Sequence, residues 1–478
     1  MAPVARWDSG PALNQATVPS NAWDGVDGSG QTVRKLETVK SAHSTGARGM
    51  RGTNRVAIKT PHHGASHHHL LSTLSSYHFT TWLQCPTLPC VLCPHSSIRS
   101  VSNLTMQHEF TPDTSAPMRE QVAAYIKSLQ LHICAALESV ENAPGPSGTK
   151  PEREVKFVPD AHIRASNTGF GISATLNNGQ RIEKAGVGVS VVMGKLPPAA
   201  IEQMKANHKE IVYDPSSGES LPYLAAGLSL IVHPRNPMAP TVHLNYRYFE
   251  LCESAEFDAT GTESAEQRVP KATGERRAWW FAGGCDLTPS YVFPEDAVHF
   301  HQTVKDVCDS QSTEFYPIFK KWCDEYFYIP HRQEGRGLGG IFYDDLSGHA
   351  HDRLPSEANG VPAGSSRPKD PTSLFAFMRK CGDAFVPSYL PILAKRADLP
   401  YTEDNRRWQL LRRGRYVEFN LMYDRGTKFG LMAPGARIES ILMSLPETAR
   451  WEYYTDMGKE GTPEGDLVAL LKTPKAWV

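Results

Sequence analysis

The chain has 478 residues, 40% of them hydrophobic, and 50 Lys and Arg stand against 51 Asp and Glu. So even a balance gives no reason to expect nucleic acid or an anionic membrane surface as a partner. No run of 18 apolar residues occurs, so no transmembrane helix is expected. Nine cysteines, an odd number scattered along the chain, read as reduced thiols rather than a disulfide framework.

Residues 1–105 differ from the rest. Nine basic residues against four acids give a net of +5, and the stretch is rich in Ser, Thr, Gly and His without a sustained period. That composition suits a mitochondrial or plastid transit peptide, but the amphipathic, Arg-rich helix such a peptide needs is not evident. The expectation is a disordered extension and a cytoplasmic protein, with organelle import as the alternative and Met106 as an alternative start. Cys85, Cys90, Cys93 and His95, and the His-rich stretch from His62 to His69, invite a metal. Neither lies in a segment that reads as folded, so no site is assigned there.

From Pro117 the pattern becomes regular. Val122, Tyr125, Ile126, Leu129, Ile133 and Leu137 recur at helical spacing and predict a helix from Pro117 to Glu141. Strands are predicted at 154–158, 169–176 and 181–192, the last two joined by a tight turn at Asn177-Asn178-Gly179. Further strands read at 228–233, 241–251, 278–281 and 339–343, with 251–277 as a hairpin loop and 346–369 as a surface loop. Helices read at 295–328, 372–393, 403–412 and 465–471. This order predicts an α+β class, a large antiparallel sheet covered by helices on both faces, in one catalytic domain over residues 106–478.

The most informative segment is Thr241-Val-His-Leu-Asn-Tyr-Arg-Tyr-Phe-Glu250. As a strand it alternates, with His243, Asn245 and Arg247 on one face and Val242, Leu244, Tyr246 and Tyr248 on the other. A proton-transfer group, an amide and a fixed cation in one row suit an anionic ligand; the alternative is a solvated outer face. Three other segments gather functional residue types: Ser229 to Pro240 with His233; Trp279-Trp-Phe-Ala-Gly-Gly-Cys-Asp-Leu-Thr-Pro289; and Tyr328 to Asp345 with His331, Arg332, Glu334 and Arg336. A fourth runs from Arg412 through Asp424 and Arg425 to Arg437. X-Pro turns stiffen the connection after His233 and would let it approach His243 across a hairpin.

Together these runs closely resemble the oxygen-dependent coproporphyrinogen III oxidases of heme biosynthesis. The likeness extends from about residue 107 to the C-terminal Ala-Trp-Val, and Ala282 stands where the family has glycine. The resemblance implies oxidative decarboxylation of two propionates of coproporphyrinogen III to vinyl groups, giving protoporphyrinogen IX. O2 would be the co-substrate, with no metal or organic cofactor, and CO2 and H2O2 would be released. It also implies His243 as proton donor or acceptor, and Ser229, Asn245, Tyr246, Gly435, Ala436 and Arg437 as substrate contacts. By strict alternation Tyr246 points off the polar face, so its contact would have to run through backbone or a twist. A homodimer is implied, with His331 and the segment 416–435 at its contact.

Such a substrate calls for arginine forks. Arg247, Arg332, Arg336, Arg425 and Arg437 are candidates, the structural alternative for Arg336 and Arg425 being an ion pair with Glu334 or Asp424. Asp286, at the end of an apolar strand, is the expected acceptor for pyrrole N–H groups; the alternative is a turn cap. Ala282 is expected to restrict backbone approach near Asp286. Two rival functions remain: a catalytically silent tetrapyrrole carrier, and a metal-dependent hydrolase built on His233, His243, His301 and His331. His299 and His301, two apart on a helix, do not share a face.

Overall fold

Runs of β-branched, glycine and aromatic residues between residues 158 and 346 pair into one seven-stranded antiparallel sheet. Its strands are β1 (Val158–Ile163), β2 (Gly169–Asn177), β3 (Ile182–Leu196), β4 (Leu221–Pro234), β5 (Thr241–Ala255) and β6 (Ala272–Thr288). A two-stranded ribbon, β7 (Tyr328–Ile329) and β8 (Glu334–Gly335), precedes β9 (Gly339–Leu346), which closes the sheet beside β6. The sheet order β1-β2-β3-β4-β5-β6-β9 is thus a meander. Asn178 takes the left-handed conformation (φ 57°) at the β2–β3 turn, as the Asn-Asn-Gly run predicts. This computed structural model describes residues 107–478 apart from 165–167, 206–207, 209–210, 256–263, 271, 355–366 and 433–435. The expected extension, with its cysteine and histidine clusters, lies outside the described residues.

One face of the sheet carries the main core. Val242, Leu244, Tyr246 and Tyr248 of β5 and Leu228, Leu230 and Val232 of β4 are buried there. The helix α1 (Met118–Glu141) packs against β3 and β4, and all six of its predicted apolar positions are fully buried. Each such side chain contributes roughly 1.5–3 kcal/mol through removal from water. Gln130 of α1 donates to the carbonyls of Ile172 and Val187, so even the helix's buried amide is satisfied by the sheet.

Two helices predicted as single are each broken in two. After α2 (Pro198–Lys205) and the strands, α3 (Pro294–Asp309) and α4 (Phe315–Tyr326) replace 295–328; α5 (Pro371–Asp383) and α6 (Phe385–Arg396) replace 372–393. In both cases a proline, Pro317 or Pro387, sits in the first turn of the second helix, where its missing N–H costs no intrahelical bond. Helix α7 (Glu403–Met422) runs ten residues beyond its predicted end. It passes straight through Gly414, which costs a helix about 1 kcal/mol; a β-carbon there would meet the Arg450 carbonyl and the Trp451 ring. Short helices α8 (Arg425–Met432) and α9 (Ile438–Leu442) follow, and α10 (Pro463–Lys472) ends the chain's regular structure.

The second face is covered at one end by α2, whose Ile201 and Met204 pack on Phe249 and Trp280. At the other end it is covered by α7 and the residues after α8. The Arg-rich run of α7 bolts that cover down: Arg406 and Arg413 reach Glu183 (2.6 and 2.7 Å), and Arg412 reaches Glu334 (2.7 Å). Helices on both faces of an antiparallel sheet are as the sequence predicts. Among the described residues no helix is long and apolar enough to cross a membrane.

Candidate active site

Directly opposed residues of antiparallel strands share a face. The register therefore sets Arg247 in a row with Gly227, Ser190, Gly171 and His162 across five strands. The next row is Asn245, Ser229, Gly188, Ser173 and Asp160, and on the other side of β5 Asn245 meets Gly284 and His243 meets Asp286. Between its polar ends the second face is a floor of glycine and serine. Four strand spacings put its ends roughly 19 Å apart.

Small floor residues leave room above them. An open cavity of about 840 Å3 lies over β4–β6, lined by His243, Asn245, Arg247, Arg336, Phe327, Phe342 and the α7–α8 junction. A second, of about 640 Å3, lies over β1–β4 and is lined by His162, Arg164, Ser190, Arg437 and Met443 among others. Both are bounded by Ser229, Gly430 and Ile441, so they adjoin. Met443 rests on Gly186 and Gly188, a seat that any β-carbon on Gly188 would fill.

In the first cavity His243 Nδ1 lies 2.9 Å from Asp286 Oδ1, and Arg336 Nη2 lies 2.9 and 2.7 Å from the two Asp286 oxygens. Asp286 and Arg336 are buried, while the His243 side chain is 20% exposed. Burial alone would push the Asp286 carboxyl up; the Arg336 guanidinium and the His243 hydrogen bond outweigh it and hold it below its usual value. Asp286 is therefore an anion that accepts from Nδ1–H, which leaves Nε2 of the imidazole for the cavity. Arg336 is clasped by aromatic rings, its guanidinium carbon 3.9 Å from the Phe327 ring centre and 4.8 Å from that of Tyr416. Arg247 and Arg425 both reach one carboxylate, Asp344, at 3.1 and 3.4 Å. Arg247 lines the cavity, and so does the carboxylate Asp424.

The arrangement can hold carboxylates and move a proton at His243. The family model described as coproporphyrinogen III oxidase matches residues 121–477. An oxygen-dependent coproporphyrinogen-III oxidase of Drosophila melanogaster is 46% identical over 361 residues, 76% of this chain and 78% of that one. The mitochondrial enzyme of Rattus norvegicus is 44% identical over 361 residues (76% and 69%), and the chloroplastic coproporphyrinogen-III oxidase 1 of Arabidopsis thaliana 44% over 371 (77% and 82%). The chain belongs to the coproporphyrinogen III oxidase family.

Within this coproporphyrinogen oxidase framework most of the predicted residues gather at the trough. His243, Asn245, Arg247, Ser229 and Arg336 line the first cavity, and Ser229, Ala436 and Arg437 the second. Gly435 lies outside the described residues. Tyr246 takes the orientation that strict alternation predicts: its side chain points into the core on the opposite face, 1% exposed and beside Tyr343. Asp286 is not among the cavity-lining residues; it is the buried cross-strand neighbour of His243, with both oxygens engaged. Arg336 pairs with Asp286 rather than Glu334, and Arg425 with Asp344 rather than Asp424. Asp424 accepts instead from the Tyr326 hydroxyl (3.1 Å) and the Thr427 N–H (2.6 Å). Arg332 lines neither cavity: it pairs with Glu418 (2.7 Å), as His331 does (2.6 Å).

The four histidines do not converge. His233 shares the face of His243, but it is buried, with Nε2 3.0 Å from the Ser444 carbonyl and Nδ1 3.4 Å from the Thr241 hydroxyl. His301 is buried against Tyr316 (3.0 Å), and burial pushes it down to about 3. Among the described residues no group of three or more His, Cys, Asp or Glu could hold a metal ion. Ala282 opposes Arg247, two pairs from Asp286, so its methyl restricts space under Arg247 and not near the carboxylate. Sequence reasoning missed Asp344, His162 and Arg164. The first ended a segment already singled out, Tyr328 to Asp345, but was given no role; the other two follow from the period of β1, had that strand been placed at 158–163.

Proposed function

We propose that this chain converts coproporphyrinogen III to protoporphyrinogen IX by oxygen-dependent oxidative decarboxylation of two propionates. The observation that carries the reading is the trough: a flat glycine and serine floor, basic groups at both ends, and one imidazole oriented by a buried carboxylate. For each propionate, the methylene next to the ring loses a proton and the bond to the carboxylate breaks. One electron pair forms the vinyl double bond; the other passes through the pyrrole to O2, which takes up two protons and leaves as H2O2, while the carboxylate leaves as CO2.

His243 Nε2 is placed to take or give a proton at the substrate, and Asp286 positions it. Arg247 and Arg425 hold the carboxylate end of a propionate. O2 is the only co-substrate in this reading; the donor set supports it, since the one carboxylate beside His243 is already spent on Arg336. The test is aerobic turnover of coproporphyrinogen III with a chelator present. Activity should persist, and His243→Ala should lower kcat by roughly 10²–10⁴ with porphyrin binding kept. Loss of activity in chelator would sink the cofactor-free reading; tight binding without any turnover would make the chain a carrier.

The protein acts as a homodimer in this reading. Leu421, Met422 and Met432 expose apolar surface on α7 and α8, and Trp451 lies beside Glu418 and His331. Light scattering at the mass of one chain would dismiss it. The rat and Arabidopsis relatives, named as mitochondrial and chloroplastic, favour an organelle over the cytoplasm; imaging a fusion to residues 1–105 separates the two.

A further inference from the structure

The second cavity gathers three basic side chains, His162, Arg164 and Arg437, against one acid, Asp160. Arg437 takes that acid, at 3.1 Å. Arg164 donates from Nη2 to the Ser190 hydroxyl (3.2 Å), but its Nε is buried without an acceptor, and among the described residues no carboxylate pairs with it. Nδ1 of His162 is likewise buried without a partner. A guanidinium half-withdrawn from water with unspent donors is costly unless something anionic completes it. The catalytic reading gives His162 and Arg164 no part in the reaction at His243, since His162 sits four strands, roughly 19 Å, from the row position of Arg247.

We propose that Arg164, with His162 beside it, is a second carboxylate anchor that grips a propionate other than the one reacting at His243. The inference rests on the proposed function. One carboxylate cannot span the trough, whereas a tetrapyrrole carries propionates around its rim and would reach both stations where the two cavities adjoin, at Ser229, Gly430 and Ile441. Gly171 belongs to the same device: the His162 ring lies over it, where any side chain would displace the imidazole. Arg164 is thus a positioning residue, acting on where the macrocycle sits and not on the reacting bonds.

The test compares wild type with R164A and R164K in two arms. The first is steady-state turnover of coproporphyrinogen III; the second is fluorescence titration with coproporphyrin III, the oxidised and unreactive form of the same tetracarboxylate. R164A should raise both KM and the porphyrin Kd by roughly 10- to 100-fold, the range of one or two charge-assisted hydrogen bonds, with kcat within about threefold. R164K should recover part of the loss, because it restores charge but not the fork. Thermal melting checks the fold, and R164Q replaces R164A if the latter melts early. Unchanged KM and Kd in a folded variant, or a loss confined to kcat, would overturn the anchor. Should wild type fail to turn over coproporphyrinogen, the catalytic reading falls by itself and the titration arm alone decides Arg164.

Discussion

The two ends of the trough solve opposite problems. Around His243 the buried charges are spent on one another: Asp286 on Arg336, and Asp344 on Arg247 and Arg425. Around His162 they are not, for Arg164 has no acid and Asp160 serves Arg437. Pairing fixes geometry, which proton transfer needs, since an imidazole aimed wrongly does nothing. Leaving donors unspent stores binding capacity, which a multiply anionic substrate can use. The comparison assigns proton transfer to one end alone, while both ends contribute to affinity.

The sharpest way to break that assignment is at Asp286. Asp286→Asn leaves Arg336 buried without a counter-charge and should cost roughly 3–5 kcal/mol in chemical denaturation. Combining it with Arg336→Met removes both charges and should restore most of the stability. Activity should not follow: with the carboxylate gone, His243 loses the acceptor that fixes its Nδ1–H, so kcat should stay down by roughly 10²–10⁴ in single and double variants alike. A double variant that regained rate would show the Asp286–Arg336 pair to be scaffolding only. The effect belongs to the whole neutral range. Asp286 is held below its usual value, so its contribution to stability is present above about pH 3.9 and fades only as pH falls through the lowered value.

How much of this was legible in the sequence follows from what leaves a local trace. The polar row His243, Asn245 and Arg247 could be read because β5 is central and its other face is fully buried, so the period of two is clean. The strand β1 could not, because it is an edge strand whose residues are almost all exposed, with Pro159 near its start. Without a buried face there is no apolar alternation, and Asp160 and His162 went unnoticed. Ion-pair partners failed for a different reason. Sequence neighbours, Glu334 and Asp424, were the natural guesses, but the fold brings carboxylates 50 and 81 positions away to Arg336 and Arg425. Long helices were over-joined because a proline in a first turn is compatible with both a continuous and a broken reading.

The smaller effect, and the one that sharpens the comparison, is in pH. Burial, then Arg437 and Arg164, hold the His162 imidazole below its usual value, and Asp160 opposes them only weakly. With no ligand it is therefore neutral near pH 7. A carboxylate seated between Arg164 and His162 adds a negative charge against the ring and raises its pKa in the bound state. Binding then takes up a proton, so the extra affinity is present in full below the free-state value and is lost as pH rises through the bound-state value. Each unit by which the ligand raises the imidazole is worth tenfold in Kd. Coproporphyrin III titrated between about pH 6 and pH 8.5 should bind more tightly at the acid end, and His162→Phe should flatten that slope. Arg247→Ala removes a fixed cation at the other end, so it should weaken binding at every pH and leave the slope in place. A wild-type Kd independent of pH, or a slope that survives His162→Phe, would detach His162 from the ligand and leave Arg164 to hold the carboxylate alone.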